Sequence, residues 1–190
     1  MKHLILVALI LQLLITVIDS TGEFKFGDMV AFYRKCAGKE DVYKHYAIYV
    51  GPNNKNNVGQ GDNDIFHLTG HIGPVSQYKF GKFEEAKGSS TKVEVENYFD
   101  TTDGIKPANI DEHVAEIMKR IKDSKGNCQL YGPLNKNCEH FATWVRYGKP
   151  TAKQEGTFVE PIFTANEAVK KKMAEISHEH VMELNCHFTN

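Results

Sequence analysis

Residues 43–50 read YKHYAIYV, a run of aromatic and β-branched side chains in which apolar and polar types roughly alternate. This composition and this period predict a β-strand. Upstream, the turn formers Phe26-Gly27-Asp28 lead into a second apolar run at 29–33, which is also predicted to be a strand. The stretch from Cys36 to Asp41 is polar and contains glycine, so we interpret it as the connection between the two strands.

Turn-forming residues dominate the next stretch, from Pro52 to Asp64. It contains little that could build a core, and we interpret it as an extended, mobile hairpin loop. Strands are predicted to resume at 65–69, at 75–83 and at 91–99, and the last two are separated by Gly88-Ser89-Ser90.

The second half of the chain changes from strand to helix periodicity. Apolar residues recur with helical spacing between Ile110 and Ile121, and Asn109 and Gly126 are suited to begin and end that helix. A second helix is predicted from Asn137 to Gly148, and a third, amphipathic and charged, from about Thr164 to Leu184. The expected fold class is therefore α+β, a small antiparallel sheet packed on helices.

Cys138 stands in the motif Asn137-Cys138-Glu139-His140-Phe141, at the expected start of the second helix. Unpaired backbone N–H groups and the positive end of the helix dipole favour an anion there, so the pKa of the thiol is expected to fall. Asn137 is a favourable N-cap residue. A thiolate at this place is a nucleophile, and the same N–H groups can bind the oxyanion that forms when it attacks a carbonyl.

A cysteine nucleophile needs a base within hydrogen-bond reach and a third group that orients the base. His45 heads the strand quoted first, and His67 lies in the next predicted strand. Because adjacent antiparallel strands can place two side chains on one face, we predict Cys138 as nucleophile, His45 as base and His67 as the orienting group. His71 and His140 are alternatives that the pattern leaves open. Taken singly, each of these residue types is more often a buried structural group than a catalyst.

The first 22 residues have the pattern of a secretory signal peptide. Met1-Lys2-His3 precede an apolar run from Leu4 to Val17, and small residues near Ser20 and Gly22 offer cleavage sites. The run is shorter than the ~20 residues that span a bilayer core, although a buried helix or an uncleaved anchor would have a similar pattern. We therefore expect a secreted or lumenal protein with no membrane anchor in the mature chain.

Charge and cysteine content narrow the function further. Lys and Arg total 23 against 24 Asp and Glu, so the balance does not indicate binding to nucleic acid. If Cys138 stays a thiol, at most one disulfide can form among Cys36, Cys128 and Cys186, and the pairing is open. The histidines and cysteine between 178 and 187 match no strong zinc signature, so neither a metal nor a cofactor is predicted.

Together these motifs resemble the lecithin:retinol acyltransferase-like domain, a family that includes phospholipase A and acyltransferase enzymes. The resemblance rests on the cysteine motif followed by Arg146-Tyr147-Gly148, on the strand from His45 to Gly51, and on Gly27-Asp28 and Tyr131-Gly132. It implies a catalytic domain at 23–149. The residue pattern itself predicts the segments on either side, a signal peptide at 1–22 and a C-terminal amphipathic helical tail at 150–190.

The resemblance also implies a circularly permuted papain-like fold and a mechanism. Cys138 would attack a phospholipid ester, with His45 acting as base and then acid and with His67 orienting His45. The acyl group would pass from a thioester to an amine, an alcohol, a lysophospholipid or water, in transient contact with a membrane surface.

The Pro52–Asp64 insertion, the charged tail and the signal peptide depart from the family pattern. The insertion lies between the two histidines and makes His67 a less secure assignment than His45. Together the departures indicate an enzyme that works on extracellular or lumenal lipid. Two other functions fit the same residues: a secreted cysteine peptidase or amidase, and a non-catalytic binding module of the same fold.

Overall fold

A computed structural model of the chain describes residues 24–52, 55–72, 75–105, 110–132, 134 and 136–164. The predicted signal peptide lies outside these residues, as do the predicted helix from about Thr164 to Leu184, except its first residue, and the cluster between 178 and 187. Among the described residues, no helix is both long and apolar enough to cross a membrane.

The described residues form one antiparallel sheet with helices packed on it. Its six strands run in the order β5-β1-β2-β3-β4-β6, and every pairing is antiparallel. This arrangement confirms the α+β class. The strands are β1 (Met29–Cys36), β2 (Lys39–Tyr49), β3 (Ile65–Ile72), β4 (Val75–Gly81), β5 (Val93–Val95) and β6 (Cys128–Leu130). The helices are α1 (Phe83–Lys87), α2 (Ile110–Ser124), α3 (Cys138–Tyr147) and α4 (Glu160–Thr164).

The β1–β2 hairpin is longer and tighter than the sequence pattern predicts. The expected polar connection from Cys36 to Asp41 is wrong, because the strands extend until only Ala37 and Gly38 remain between them. Both turn residues have positive φ angles, 49° and 78°. A two-residue turn with two positive φ angles matches the right-handed twist of the flanking strands, which explains how the hairpin continues.

Two predicted strands between residues 75 and 99 are shorter in the structure than the sequence pattern predicts. The strand expected at 75–83 ends at Gly81, and Phe83 instead begins the short helix α1, where Phe83 and Ala86 are buried on one side. The strand expected at 91–99 is reduced to β5, which pairs only with β1. The edge strand β6 has three residues and was not predicted.

The two faces of the sheet carry separate apolar clusters. One face packs side chains of β1, β2 and β3, among them Tyr46 and Ile48, against α2 and α3, while the other packs Phe32 and Ala47 against α1. The predicted mobile loop contributes to the first cluster, because Val58 is only 3% exposed. Its neighbour Gln60 is buried too and donates to Gly51 O at 3.2 Å, so the described part of the loop is tied to the core.

The bounds of α3 agree with the sequence prediction. Asn137 is the N-cap, and its side chain accepts a hydrogen bond from the His140 N–H. Gly148 ends the helix in the left-handed conformation with φ 74°, which glycine adopts without strain. The predicted helix between 110 and 121 is likewise present as α2, although Asn109, its expected N-cap, lies outside the described residues.

Candidate active site

The site lies where β2 and β3 part. Their pairing covers three residue pairs, from Tyr49↔Ile65 to Ala47↔His67. Beyond Ala47, β2 continues beside β1 and β3 continues beside β4. Tyr49 exchanges backbone hydrogen bonds with the β1 side, so alternation along the strand turns the backbone groups of Lys44 and Tyr46 toward the side that β3 has left. The N-terminus of α3 meets β2 at this opening.

Cys138 begins α3 and is seated on the backbone of β2. Its thiol is free and only 4% exposed. The sulfur lies 3.8 Å from Lys44 O, and the Tyr46 N–H donates a hydrogen bond to it. Lys44 and Tyr46 are the two chain neighbours of His45, so the sulfur lies against β2 at the position of His45.

The electrostatics of Cys138 overturn one prediction. Burial raises the pKa of the Cys138 thiol to about 11, and the negative charge of Glu139 acts in the same direction. Hydrogen bonds from the Tyr46 N–H and the Tyr131 hydroxyl oppose the rise without cancelling it. The expectation of a lowered pKa is therefore wrong, because desolvation of the buried sulfur outweighs the helix N-terminus.

His45 and His67 form a direct pair across the opening of the sheet. His45 Nε2 lies 3.0 Å from His67 Nδ1, and the ring centroids are 5.2 Å apart with the planes at 71°. His67 is 7% exposed. Its Nε2 lies so close to Gly81 that a Cβ atom there would come within 3.1 Å of it. Glycine at position 81 thus makes room for the second imidazole.

The His45 ring is held neutral. Burial lowers the pKa of His45 well below its usual value, and the charges of His67 and Arg34 act in the same direction. Arg34 is itself buried and fixed by Lys87 O at 2.9 Å and Ser90 Oγ at 2.6 Å. At neutral pH the His45 imidazole and the Cys138 thiol are therefore both neutral.

The two alternative histidines do not join this pair as far as the structure describes them. His140 lies two residues beyond Cys138, and its Nδ1 is 2.9 Å from the Asn137 side chain, where it supports the helix cap. His71 belongs to β3, but its side chain lies outside the described part of the structure.

A buried carboxylate next to the thiol was missed by sequence reasoning. Glu139 is fully buried, and burial raises its pKa even though several donors bind it. Tyr98 OH and Lys153 N each donate to Oε1 at 2.9 Å, and Gln154 Nε2 donates to Oε2 at 2.9 Å. Glu139 occurs inside the quoted motif, but no local pattern shows that a glutamate at a helix start will lose all contact with water.

The C-terminal end of α3 anchors the helix to the start of β1. Arg146 binds both carboxylate oxygens of Asp100, at 3.0 and 2.7 Å, and donates to Gly27 O at 2.5 Å. Gly27 has φ 89°, and a Cβ atom there would lie 2.7 Å from Ile117 Cδ1. The Gly27-Asp28 and Arg146-Tyr147 motifs therefore meet in space and set the orientation of α3.

Comparison with known proteins identifies similar sequences over the same region. A family model described as lecithin retinol acyltransferase matches residues 22–151. The chain is 27% identical over 131 residues to phospholipase A and acyltransferase 1 of Rattus norvegicus and 29% identical to that of Mus musculus, with 67% of this chain and 71% of each relative covered. Phospholipase A and acyltransferase 4 of Homo sapiens is 27% identical over 139 residues, which cover 70% of this chain and 75% of the relative.

Proposed function

The chain belongs to the lecithin retinol acyltransferase family, and on that premise we propose that it is a cysteine-dependent enzyme that takes acyl groups from phospholipid esters. The observation that carries the proposal is the seat of Cys138: a free, buried thiol on the β2 backbone at His45, whose ring is paired with His67. The names of the similar proteins, phospholipase A and acyltransferase, support the same reaction class.

In this proposal Cys138 is the nucleophile, His45 the base and His67 the orienting group. The contact between His45 Nε2 and His67 Nδ1 leaves His45 Nδ1 as the ring nitrogen that receives the thiol proton. A histidine held by a hydrogen-bond partner keeps one tautomer and one orientation, which is the purpose of the third group in such sites. The order of these residues along the chain supports a permuted papain-like arrangement of the fold.

The first half of the reaction forms a thioester. As the sulfur of Cys138 attacks the ester carbonyl carbon, its proton passes to His45 and the negative charge develops on the carbonyl oxygen. The amide N–H groups at the start of α3 and the Tyr131 hydroxyl, which already hydrogen-bonds the thiol, are suited to stabilise that oxygen. The ester C–O bond then breaks, and the departing lysophospholipid oxygen takes the proton from His45.

The second half of the reaction frees the sulfur. An amine, an alcohol, a lysophospholipid or water attacks the thioester and gives its proton to His45. The C–S bond breaks, and the sulfur takes that proton back. The neutral thiol–imidazole pair is thus restored, which agrees with a raised pKa for Cys138 and a lowered pKa for His45. We place this reaction at the surface of extracellular or lumenal lipid, because the first 22 residues have the pattern of a signal peptide.

Intact-protein mass spectrometry tests the proposal directly. The protein is incubated with phosphatidylcholine, quenched in acid and weighed, and we expect an added mass equal to one acyl chain. Cys128→Ser is the matched control, since Cys128 is an exposed free thiol outside the site and its loss should leave the adduct unchanged. Cys138→Ser should carry no acid-stable thioester. An adduct that disappears with Cys128 instead would contradict the proposal.

A non-catalytic binding module is the second candidate, favoured by the raised pKa of Cys138. A buried thiol that stays protonated at neutral pH is what a purely structural cysteine would show. The two candidates differ in the effect of His45 on acylation. An activated phenyl thioester of a short fatty acid should acylate Cys138 at neutral pH in the enzyme and should fail to do so after His45→Ala, whereas the binding module would show the same slow labelling with either residue.

A further inference from the structure

Gln154 is the residue of the segment after α3 whose conformation stands out. Its φ angle is 49°, in the left-handed region that residues other than glycine rarely adopt, and its side chain is buried, with only 3% of the residue exposed. It also lies three residues beyond the last residue matched by the family model. A buried polar residue in an unfavourable backbone conformation must be held there by its contacts.

The side chain of Gln154 takes the place that β3 leaves beside β2. Its Oε1 accepts from the Lys44 N–H at 2.7 Å, and its Nε2 donates to Lys44 O at 3.2 Å. These are the paired backbone groups that a neighbouring antiparallel strand would satisfy. One amide side chain thus completes the hydrogen bonding of β2 at the point where the sheet opens.

The same side chain also reaches α3. Gln154 Nε2 lies 2.9 Å from Glu139 Oε2, and the Gln154 backbone N–H donates to that oxygen at 3.1 Å. Lys44 precedes His45 in the chain, and Glu139 follows Cys138. Each partner of Gln154 is therefore the immediate neighbour of a residue to which the proposed function assigns a chemical role.

We propose that Gln154 is a positioning residue that fixes the distance between β2 and α3 and so aligns the Cys138 thiol with the His45 ring. The inference rests on the proposed roles of these two residues. Cys138 and Gln154 bind the same backbone atom, because Lys44 O accepts a hydrogen bond from both the thiol and the amide. Among the described residues, the hydrogen bonds of the amide and those of the thiol link the start of α3 to the strand at this point.

Gln154→Met and Gln154→Gly test the inference in two ways. Methionine keeps the length of the side chain without its hydrogen bonds, and glycine removes the side chain while relieving the left-handed backbone. Since a misplacement of about 1 Å can lower a rate about 10²-fold, we expect kcat for acyl transfer to fall about 10- to 100-fold in both variants, with KM changed less than about twofold.

Two control variants separate positioning from general loosening of the segment. Thr157→Ala removes the 2.7 Å hydrogen bond to the Gln154 carbonyl without touching its amide, and Glu155→Ala changes an exposed neighbour. Both should keep kcat within about twofold of the wild type, because the contacts to Lys44 and Glu139 remain. If Thr157→Ala lowers kcat as much as Gln154→Met at the same melting temperature, the positioning role is wrong.

Alkylation of Cys138 by iodoacetamide, followed by peptide mass mapping in a Cys128→Ser background, gives a readout that does not depend on phospholipid. Loss of the amide should loosen the contact of Cys138 with β2 and expose its sulfur more often. Gln154→Met should therefore react several-fold faster than either control variant under native conditions. If wild-type protein turns over no phospholipid, the proposed function fails, and this rate still decides the role of Gln154. Unchanged alkylation and kcat, or failure of both Gln154 variants to fold, would show that Gln154 is not a positioning residue.

Discussion

The two ends of α3 treat charge in opposite ways. At the C-terminal end, the Arg146 guanidinium faces the Asp100 carboxylate in a two-point ion pair. At the N-terminal end, the Glu139 carboxylate is buried among neutral donors, and the neighbouring Cys138 thiol stays protonated. At the C-terminal end the charge of Arg146 is compensated by an opposite charge. At the N-terminal end the charge of Glu139 is compensated by the hydrogen bonds of neutral groups.

The difference shows in the pKa values at each end. Although burial acts the other way, the hydrogen bonds from Arg146 and Tyr147 keep the pKa of Asp100 below its ordinary value. Burial raises the pKa of Cys138 and of Glu139, and within the described part of the chain no cation is paired with either. An ion pair anchors a helix in one position. A neutral thiol and a neutral imidazole, by contrast, remain available to exchange a proton during a reaction. We therefore assign anchoring to one end and chemistry to the other.

The largest expected effect falls at the N-terminal end. Cys138→Ser should abolish acyl transfer, and His45→Ala should lower kcat by ~10²–10⁴-fold, because general-base assistance is removed. Turnover of phosphatidylcholine by each variant, measured with equal amounts of folded protein, checks this. A variant that retains most of its activity would contradict the assignment of chemistry to this end.

The second effect falls at the C-terminal end and concerns stability. Arg146→Ala should lower the free energy of unfolding by about 3 kcal/mol, near the low end for a broken buried pair because Asp100 is partly exposed. Urea unfolding measures it. Lys35→Ala, which breaks the exposed pair with Glu40, is the control and should cost about 1 kcal/mol or less. If the kcat of folded Arg146→Ala protein fell as far as that of His45→Ala, the division between the two ends would be wrong.

The third effect is a pH dependence of stability that originates at Cys138. The pKa of the thiol rises from an ordinary 9.0 to about 11 on folding, so the folded protein binds the proton more tightly than the unfolded chain. Its contribution of about 3 kcal/mol is fully present below pH 9 and is lost as the pH rises to about 11. Urea titrations between these pH values should therefore give a steeper decline for the wild type than for Cys138→Ser. Parallel curves would show that the thiol is not desolvated.

The smallest expected effect concerns His67. In Gly81→Ala the new Cβ atom would press on His67 Nε2 from 3.1 Å, and the backbone of Gly81 does not require a positive φ. A displacement of a few tenths of an ångström should lower kcat about three- to tenfold through His45. Gly61→Ala is the control, because it strains a left-handed residue in open space and should affect stability alone. Equal kcat values for the two variants would remove His67 from the proposed mechanism.

Local sequence signals predicted the elements that carry the site. The caps of α3 at Asn137 and Gly148 are chemical preferences of single residues, and the structure places both as expected. The alternation from Tyr43 to Val50 likewise predicted the strand that contains His45. These signals work because capping and alternation depend on neighbours in the chain.

The missed features depend on residues far apart in the chain. Gln154 contacts Lys44 across 110 positions, and nothing near Gln154 indicates a buried amide. The pKa of Cys138 depends on how much water the whole fold excludes, which a motif does not report. Composition predicts a mobile loop around Val58 for the same reason, since the burial of Val58 depends on the sheet beneath it.

The pairing of β2 with β3 ends at Ala47 and His67, and this end of the pairing limits how far the stability of the protein can be raised without loss of the site. Sequence changes that extended the regular pairing of the two strands through Lys44 would replace the hydrogen bonds of Gln154 with those of a strand and would cover the backbone that the Cys138 sulfur contacts. The sulfur would then lose its contacts with β2. Selection for thermostability alone should therefore favour variants that have lost the proposed acyl-transfer activity.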